Sequence, residues 1–238
     1  MKNTPKYNRV ILKFSGEVLM SNQQSIDEQK LRFFINEIIK IVEMGVEVGV
    51  VLGGGNIFRG LKGVEKGFDR VKGDYMGMLA TIINSLALQT ALQAENIPSR
   101  VFTAFRVEPA AEYFNREKAL KALKNKEVVI FSGGTGNPFF STDSAAALRG
   151  VEMNANIILK GTKVDGVYNA DPVNHPNAHK YEHISFDEVY QQELKVMDLT
   201  AFTMCKDNNL PIIVFNINEK DHLKNIILGE KIGTLIKN

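Results

Sequence analysis

The sequence predicts an α/β fold, a three-layer αβα sandwich in which helices cover both faces of a mainly parallel sheet. Short apolar runs without charges predict buried strands, and segments with apolar residues at helical spacing follow most of them. Strand–helix–strand units of this kind give parallel pairing with right-handed crossovers. We expect strands from residue 9 and at 48–52, 99–105, 127–132, 156–160 and 211–216, and helices at 27–45, 75–94, within 110–125, and at 142–153, 185–194, 198–208 and 219–228.

Length and composition indicate a soluble globular protein with one composite domain over residues 1–238, since no linker, repeat or low-complexity segment interrupts the chain. The formal net charge of +2, without a basic stripe, argues against nucleic acid as the primary partner. Cys205 is the single cysteine, which excludes an intrachain disulfide and a cysteine metal cluster. With no apolar secretory segment behind Met1, these features predict a cytoplasmic protein.

The uncharged segment 75–94 is long enough to span a bilayer. It is flanked by Asp74 and Glu95 rather than by basic anchors. Its polar members are Thr81, Asn84, Ser85, Gln89, Thr90 and Gln93. We therefore expect no membrane span but a helix buried in the core or in a subunit interface, and thus a homo-oligomer.

Two expected strands run directly into glycine-rich loops. Gly53, Gly54 and Gly55 follow 48–52, with Arg59 close behind, and a second loop at 133–136 follows 127–132. Glycines allow successive backbone N–H groups to converge on an anion, and an arginine fork suits phosphate oxygens. A glycine turn beside a solvated arginine would explain the first loop alone. The second loop favours an anion site at the carboxyl edge of the sheet.

Charged side chains at the same edge strengthen this interpretation. Lys13 and Lys160 each end an apolar strand, where a lysine is costly unless an anion meets it; for Lys13, an edge strand that lets the side chain reach solvent is the alternative. Asp143 opens a helix whose N-terminus suits phosphate, although it could simply cap that helix. Together they suit phosphoryl transfer, where catalysis is mainly positioning and charge neutralisation.

Several other chemistries are not supported. The chain lacks the P-loop motif, the Gly-x-Gly-x-x-Gly dinucleotide fingerprint and the protein-kinase signatures. His175, His179 and His183 are four residues apart, a spacing that would align zinc ligands on a helix. Pro176 between them predicts a loop instead, so we expect no zinc site.

Longer motifs resemble the amino-acid kinase superfamily: residues 13–16, 53–60, 162–166 and the pair Asp171-Pro172. Within it, segments 73–80, 135–145 and 193–198 are similar to those of the bacterial uridylate kinases, and the resemblance runs from about residue 9 to 236. It implies transfer of the ATP γ-phosphate to UMP in pyrimidine nucleotide biosynthesis. It also implies Mg²⁺ held by the ATP phosphates rather than by a protein metal site, a homohexamer, and feedback inhibition by UTP at the UMP site.

The resemblance also implies roles for individual residues. The N-terminal part would form mainly the UMP site and the subunit interface, and the C-terminal part mainly the ATP site. Lys13 and Lys160 would neutralise the transferred phosphoryl group, while Asp143 would orient them or act through the metal. The ATP phosphates would lie on Lys13, Phe14, Ser15, Gly16, Gly55 and Arg59, with Thr162, Tyr168 and Asp171 around the adenosine. UMP would lie on Gly54, Asp74, Thr135, Gly136, Asn137, Pro138, Phe139, Phe140, Ser141 and Thr142, with capping of a helix as the alternative role of Asp74.

One segment departs from the family pattern, and two other functions stay open. Residues 21–25 are short and contain no glycine where the family usually has a longer stretch linked to GTP, so activation by GTP is not expected. A sibling that phosphorylates a carboxylate, such as acetylglutamate or aspartate, would share the ATP half but should lack the 135–143 motif. A uridine-nucleotide sensor without turnover would need neither lysine nor Asp143.

Overall fold

A nine-stranded sheet forms the centre of the computed structural model, which describes residues 4–58, 67, 69–170, 174–175 and 177–238. Its strands are β1 (Arg9–Phe14), β2 (Glu47–Leu52), β3 (Ser99–Thr103), β4 (Glu112–Tyr113), β5 (Val128–Ser132), β6 (Ile157–Thr162), β7 (His183–Ser185), β8 (Ile212–Asn216) and β9 (Thr234–Lys237). The spatial order is β4-β3-β5-β2-β1-β6-β8-β9-β7. Among these pairings, β8 with β9 is antiparallel and the others are parallel, which confirms the mainly parallel sheet.

Helices cover both faces of this sheet. They are α1 (Glu28–Glu43), α2 (Arg70–Ala94), α3 (Arg116–Lys124), α4 (Thr142–Glu152), α5 (Phe186–Gln191), α6 (Leu199–Asp207) and α7 (His222–Ile227), with a 3₁₀ helix at Gly16–Leu19. Because side chains alternate across a strand, Val10 and Leu12 pack with α1, α2 and α7, whereas Ile11 packs with α3, α4 and α6. The expected αβα sandwich is therefore confirmed.

The structure corrects several local expectations. The short strands β4, β7 and β9 and the 3₁₀ helix were not predicted, because two to four residues give little periodicity. The helix expected at 75–94 begins at Arg70, and the Asp69 side chain caps it by accepting a hydrogen bond from the Lys72 N–H. The capping alternative for Asp74 is therefore wrong. The helix expected at 219–228 begins only at His222, after Asp221 in a left-handed conformation at φ +66°.

Helix α2 is long and apolar enough to cross a membrane by length and composition alone, a test that core helices also pass. About 44% of its most apolar window is buried. It packs against β3, β5 and α1, and Asn84 and Ser85 on its inner face are fully buried. Its outer face exposes Leu79 and Ile83, which leaves an apolar surface on the protein.

Candidate active site

Two lysines stand side by side at the carboxyl ends of central strands. Lys13 on β1 and Lys160 on β6 are direct partners in the parallel ladder, and both are nearly buried, with 9% and 8% of their surface exposed. The edge-strand alternative for Lys13 is wrong, because β1 lies between β2 and β6. Both side chains share the face of the sheet that α4 covers.

Asp143 lies between the two ammonium groups. Its Oδ1 is 2.6 Å from Lys13 Nζ and its Oδ2 is 2.8 Å from Lys160 Nζ. The cap of α4 is Ser141, whose Oγ accepts hydrogen bonds from the N–H groups of Asp143 and Ser144. The capping alternative for Asp143 is therefore wrong, and the first turn of α4 directs its carboxylate at the lysines.

Burial and charge compete in this cluster. Burial alone would raise the pKa of Asp143, but the charges of Lys13 and Lys160 outweigh it and the net pKa is lowered. For Lys160, burial is the largest effect and the charge of Lys13 adds to it, so its pKa falls below the ordinary 10.5 although Asp143 opposes the change. The carboxylate is thus firmly ionised, whereas the Lys160 ammonium is destabilised and would gain from an additional anion.

A second contact of Lys160 was not predicted from the sequence. Its Nζ donates a hydrogen bond of 2.5 Å to the carbonyl oxygen of Val196. Two residues later Asp198 caps α6 and accepts hydrogen bonds from the hydroxyls of Ser141 and Ser144. The segment before α6 is thereby joined to the first turn of α4. The sequence marked 193–198 as a motif but gave no sign of these partners, which lie far away in the chain.

The glycines of the first loop serve protein packing. A Cβ added to Gly54 would lie 2.6 Å from the Gly77 carbonyl oxygen of α2, and one added to Gly16 would lie 2.5 Å from the Gly53 carbonyl oxygen. The backbone at Gly54 and the backbone at Gly16 therefore lie too close to neighbouring backbone atoms for either residue to carry a side chain. Gly55 follows in a turn and is partly exposed. Arg59, expected to contact phosphate, lies outside the described residues.

The second loop uses glycine for backbone conformation, since Gly133, Gly134 and Gly136 all have positive φ. The loop continues through the other expected UMP-binding residues into α4. Asp74 contacts it: Oδ2 accepts a 2.8 Å hydrogen bond from the Phe139 N–H while the carboxylate also pairs with Arg70. Asp74 thus contacts the loop that carries the expected UMP residues Thr135, Gly136, Asn137, Pro138, Phe139, Phe140, Ser141 and Thr142, and the remaining one, Gly54, packs on the same helix as Asp74, at Gly77.

A cavity of about 450 Å³ lies beside the lysine cluster. Thr162, Tyr168 and Val196 line it, and Val196 connects it to Lys160. Its volume is in the range of small-molecule sites, and two of the three residues expected around adenosine border it. The third, Asp171, lies outside the described residues. A larger cavity of about 590 Å³ near β3 and β4 is lined by none of the expected site residues.

The described part of the chain contains no group of three or more histidine, cysteine, aspartate or glutamate side chains suited to a metal ion. A magnesium ion carried on ATP phosphates requires no such group, so the expected Mg²⁺ stays a prediction. The donor set at the site, with two lysines and one carboxylate, is suited to phosphate oxygens and their counter-ion.

The chain belongs to the amino acid kinase family, whose model matches residues 8–216. Its relatives include the uridylate kinase of Parabacteroides distasonis, 56% identical over 98% of this chain and 99% of that protein. The uridylate kinase of Pseudomonas paraeruginosa is 51% identical over 98% of this chain and 96% of that one.

Solved structures give the same result for the fold. The crystal structure of UMP kinase from Bacillus anthracis superposes with a TM-score of 0.95 at 42% identity, covering 97% of this chain and 96% of that one. The UMP kinase from Ureaplasma parvum has a TM-score of 0.93 at 40% identity, with 98% and 100% covered. The family resemblance and the fold expected from the sequence are confirmed.

Proposed function

We propose that this protein is a phosphotransferase that moves the γ-phosphoryl group of ATP to UMP, giving ADP and UDP. The observation that carries the proposal is the Lys13–Asp143–Lys160 cluster at the carboxyl ends of β1 and β6. The cavity beside Val196 lies next to it, and the 135–142 loop runs directly into the helix that holds Asp143. Similarity to proteins named uridylate kinase supports UMP as the acceptor.

The chemistry needs positioned charge more than a base. An oxygen of the UMP phosphate attacks the γ-phosphorus of ATP, and the bond to the β-phosphate oxygen breaks. Lys13 and Lys160 neutralise the negative charge on the transferred group, and Asp143 keeps the two ammonium groups apart and oriented. The attacking oxygen is already anionic, so no general base is required. Mg²⁺ supplies further charge neutralisation on the ATP phosphates when it is bound.

The two substrates occupy different sides of this cluster in the proposal. ATP places its phosphates on Lys13, Ser15, Gly16 and Gly55 and its adenosine in the cavity bordered by Thr162 and Tyr168. UMP lies against Asp74, Gly54 and the 135–142 loop. The hydrogen bond between Asp74 and the Phe139 N–H supports this arrangement, because it brings two of the expected UMP-binding segments together.

The outer face of α2 supports a homo-oligomer, and the family resemblance implies that it is a hexamer. Tyr75, Met76, Leu79 and Ile83 are exposed there at a spacing that forms one apolar stripe. We expect light scattering to give a multiple of the 26.5 kDa chain mass, and the Leu79→Glu, Ile83→Glu double variant to dissociate it. A monomeric wild-type protein would refute this part of the proposal.

Regulation and location complete the proposal. UTP competes with UMP for its site, GTP does not activate, and the protein works in the cytoplasm. A titration that shows several-fold activation by GTP would contradict the second statement. Inhibition by UTP that excess UMP fails to relieve would contradict the first.

The decisive test of the reaction measures ADP formation from MgATP with UMP, CMP, dUMP, acetylglutamate and aspartate as separate acceptors. Turnover with UMP is the expected result, and turnover with an amino acid alone would refute the acceptor site. Tight UMP binding without turnover with any of the five would establish a sensor instead. The Lys13→Ala variant, purified in the same way, sets an upper limit on the activity of contaminating kinases.

A further inference from the structure

The inner face of α2 carries three buried polar side chains: Thr81, Asn84 and Ser85, with 5%, 0% and 0% exposed. Buried polar groups need hydrogen-bond partners, and the three find them differently. The Ser85 hydroxyl donates to the Thr81 carbonyl oxygen within its own helix, at 2.8 Å. Thr81 and Asn84 instead reach out of the helix to the two glycine loops.

Asn84 connects α2 to the first glycine loop. Its Nδ2 donates to the Gly53 carbonyl oxygen and to Asn56 Oδ1, each at 2.8 Å, and its Oδ1 accepts from Asn56 Nδ2 at 3.0 Å. Asn56 also donates to the carbonyl oxygen of Ser25 at 2.7 Å. One buried amide therefore holds both ends of the segment that contains Gly54 and Gly55.

The loop after β1 meets the same point. A Cβ added to Gly16 would lie 2.5 Å from the Gly53 carbonyl oxygen and 3.0 Å from Asn84 Nδ2. The Gly53 N–H in turn donates to the Phe14 carbonyl oxygen at 2.8 Å. The two backbone segments assigned to the ATP phosphates thus pack on each other and on Asn84.

Thr81 connects α2 to the second glycine loop. Its Oγ1 accepts a 2.8 Å hydrogen bond from the Gly133 N–H and donates to the Met78 carbonyl oxygen at 2.7 Å. Gly133, at φ +75°, begins the loop that continues through Thr142. The hydroxyl therefore fixes the point at which the assigned UMP loop leaves β5.

We propose that Thr81 and Asn84 are positioning residues, and that one turn of α2 places the loops for both substrates. Asn84 sets the backbones of Gly16 and Gly55 for ATP, together with that of Gly54, which is assigned to UMP, and Thr81 sets the 133–142 loop for UMP. Neither side chain touches substrate. This inference rests on the proposed function, because it takes the two loops as the sites of the two nucleotides.

The test is a set of steady-state measurements of UDP formation with separate variation of ATP and UMP. The variants are Asn84→Ala, Asn56→Ala, the near-isosteric Thr81→Val, and Ser85→Ala as the matched control. The control removes a buried hydroxyl from the same helix without touching either loop. We expect the KM for ATP to rise about five- to ten-fold in the two asparagine variants, the effect of losing roughly one hydrogen bond, and the KM for UMP to rise less, because Gly54 is the one residue of that segment assigned to UMP.

In Thr81→Val the KM for UMP should rise by a similar factor while that for ATP stays constant, and Ser85→Ala should change neither. The double variant with both asparagines replaced should resemble Asn84→Ala, because the two side chains act through the same contact. A crossed pattern of this kind does not arise from general destabilisation. Asn56 is only partly buried, so its replacement should disturb folding less. The Asn56→Ala variant therefore still tests the expected rise in the KM for ATP if Asn84→Ala does not fold.

Equal changes in both KM values, or a lower melting temperature with unchanged kinetics, would overturn the positioning role. An active wild-type enzyme with that result would leave the proposed function intact. A wild-type protein that forms no UDP would instead refute the proposed function itself.

Discussion

Two three-membered charge clusters in this molecule have opposite compositions. In the site, the Asp143 carboxylate lies between the ammonium groups of Lys13 and Lys160. Between α1 and α7, the Lys40 ammonium lies between the carboxylates of Glu37 and Asp221, with Asp221 Oδ1 at 2.7 Å. The first cluster has one positive charge in excess, and the second has one negative charge in excess.

Their exposure differs as well. The three side chains of the site cluster are all 10–14% exposed. In the other cluster exposure rises from 2% at Glu37 through 27% at Lys40 to 41% at Asp221. The excess charge of the second cluster can therefore reach water, whereas that of the first is held away from it. A buried, unbalanced charge is expensive, which is understandable where an anionic substrate completes the balance.

The pKa values of Lys40 and Lys160 shift in opposite directions, because the balance between burial and neighbouring charge differs at the two ammonium groups. Burial lowers the pKa of Lys40, but hydrogen bonds to Asp221 and Glu37 outweigh it and the net pKa rises above 10.5. Lys160 is more deeply buried beside a second ammonium, and its net pKa falls. Lys160 therefore has an unfavourable charge environment although it is ion-paired, which fits its proposed role of meeting an anionic substrate.

The strongest test of this comparison is Lys13→Ala. Removal of one preorganised charge contact should reduce kcat about ten-fold to a thousand-fold, because the developing charge on the phosphoryl group loses a partner. UDP formation at saturating MgATP and UMP measures it. Unchanged turnover would show that Lys13 is not part of the active site. The contrast between its cluster and the cluster around Lys40 would then fail.

The pH dependence of kcat sharpens the comparison at Lys160. Its pKa is lowered by burial and by Lys13, so the ammonium loses its proton as the pH rises through a value below 10.5, and turnover should fall there. In Lys160→Arg the side chain stays charged over that range. The alkaline loss of turnover should therefore move to higher pH, and an unchanged profile in the variant would assign it to another group.

The sequence was sufficient to predict which charged groups come together at the site, but not to predict the residues that position the surrounding segments. Lys13, Lys160 and Asp143 could be predicted because strand ends and a helix start leave local patterns. Thr81, Asn84 and Asp198 look like ordinary helix residues or a cap, and the partners described above that lie outside their own helices are 28 to 57 residues away in the chain. Such contacts depend on how the elements pack, which periodicity does not encode.

The glycines give a similar lesson. Their clustering marked both loops, and the geometry gives Gly16 and Gly54 a reason that the sequence did not indicate, while the expected approach of backbone to ligand stays a prediction. Those two are required by neighbouring backbone and by α2. Gly133 and Gly136 are instead required by positive φ. Close packing and positive φ both require glycine, so the sequence alone does not distinguish between them.

A smaller effect is expected from Asp74→Asn. The carboxylate holds Arg70 and the Phe139 N–H, and in the proposal it also binds UMP. The amide keeps the size but loses the charge, so the KM for UMP should rise several-fold while kcat changes little. Initial rates with UMP varied at saturating ATP measure it. A change confined to the KM for ATP would mean that the two substrate sites are assigned the wrong way round.

The smallest effect on catalysis is expected at the second cluster, in Lys40→Met. The variant keeps the length of the side chain but leaves the buried Glu37 carboxylate with the Asp221 N–H, at 3.0 Å, as its remaining hydrogen-bond donor within the described residues. We expect a loss of about 1–3 kcal/mol in the free energy of unfolding, measured by urea titration at pH 7, with kcat and both KM values unchanged.

The sign of the pH dependence checks the part of that loss that comes from Asp221, the second partner of Lys40. The pKa of Asp221 is lowered from 3.8 chiefly by its hydrogen bond to Lys40, so its contribution is present above pH 3.8 and disappears as the pH falls through the lowered value. The stability difference between wild type and Lys40→Met should therefore shrink in acid. A variant that loses turnover at pH 7 while keeping its stability would show that this cluster, too, serves the reaction, and the contrast between the two clusters would fail.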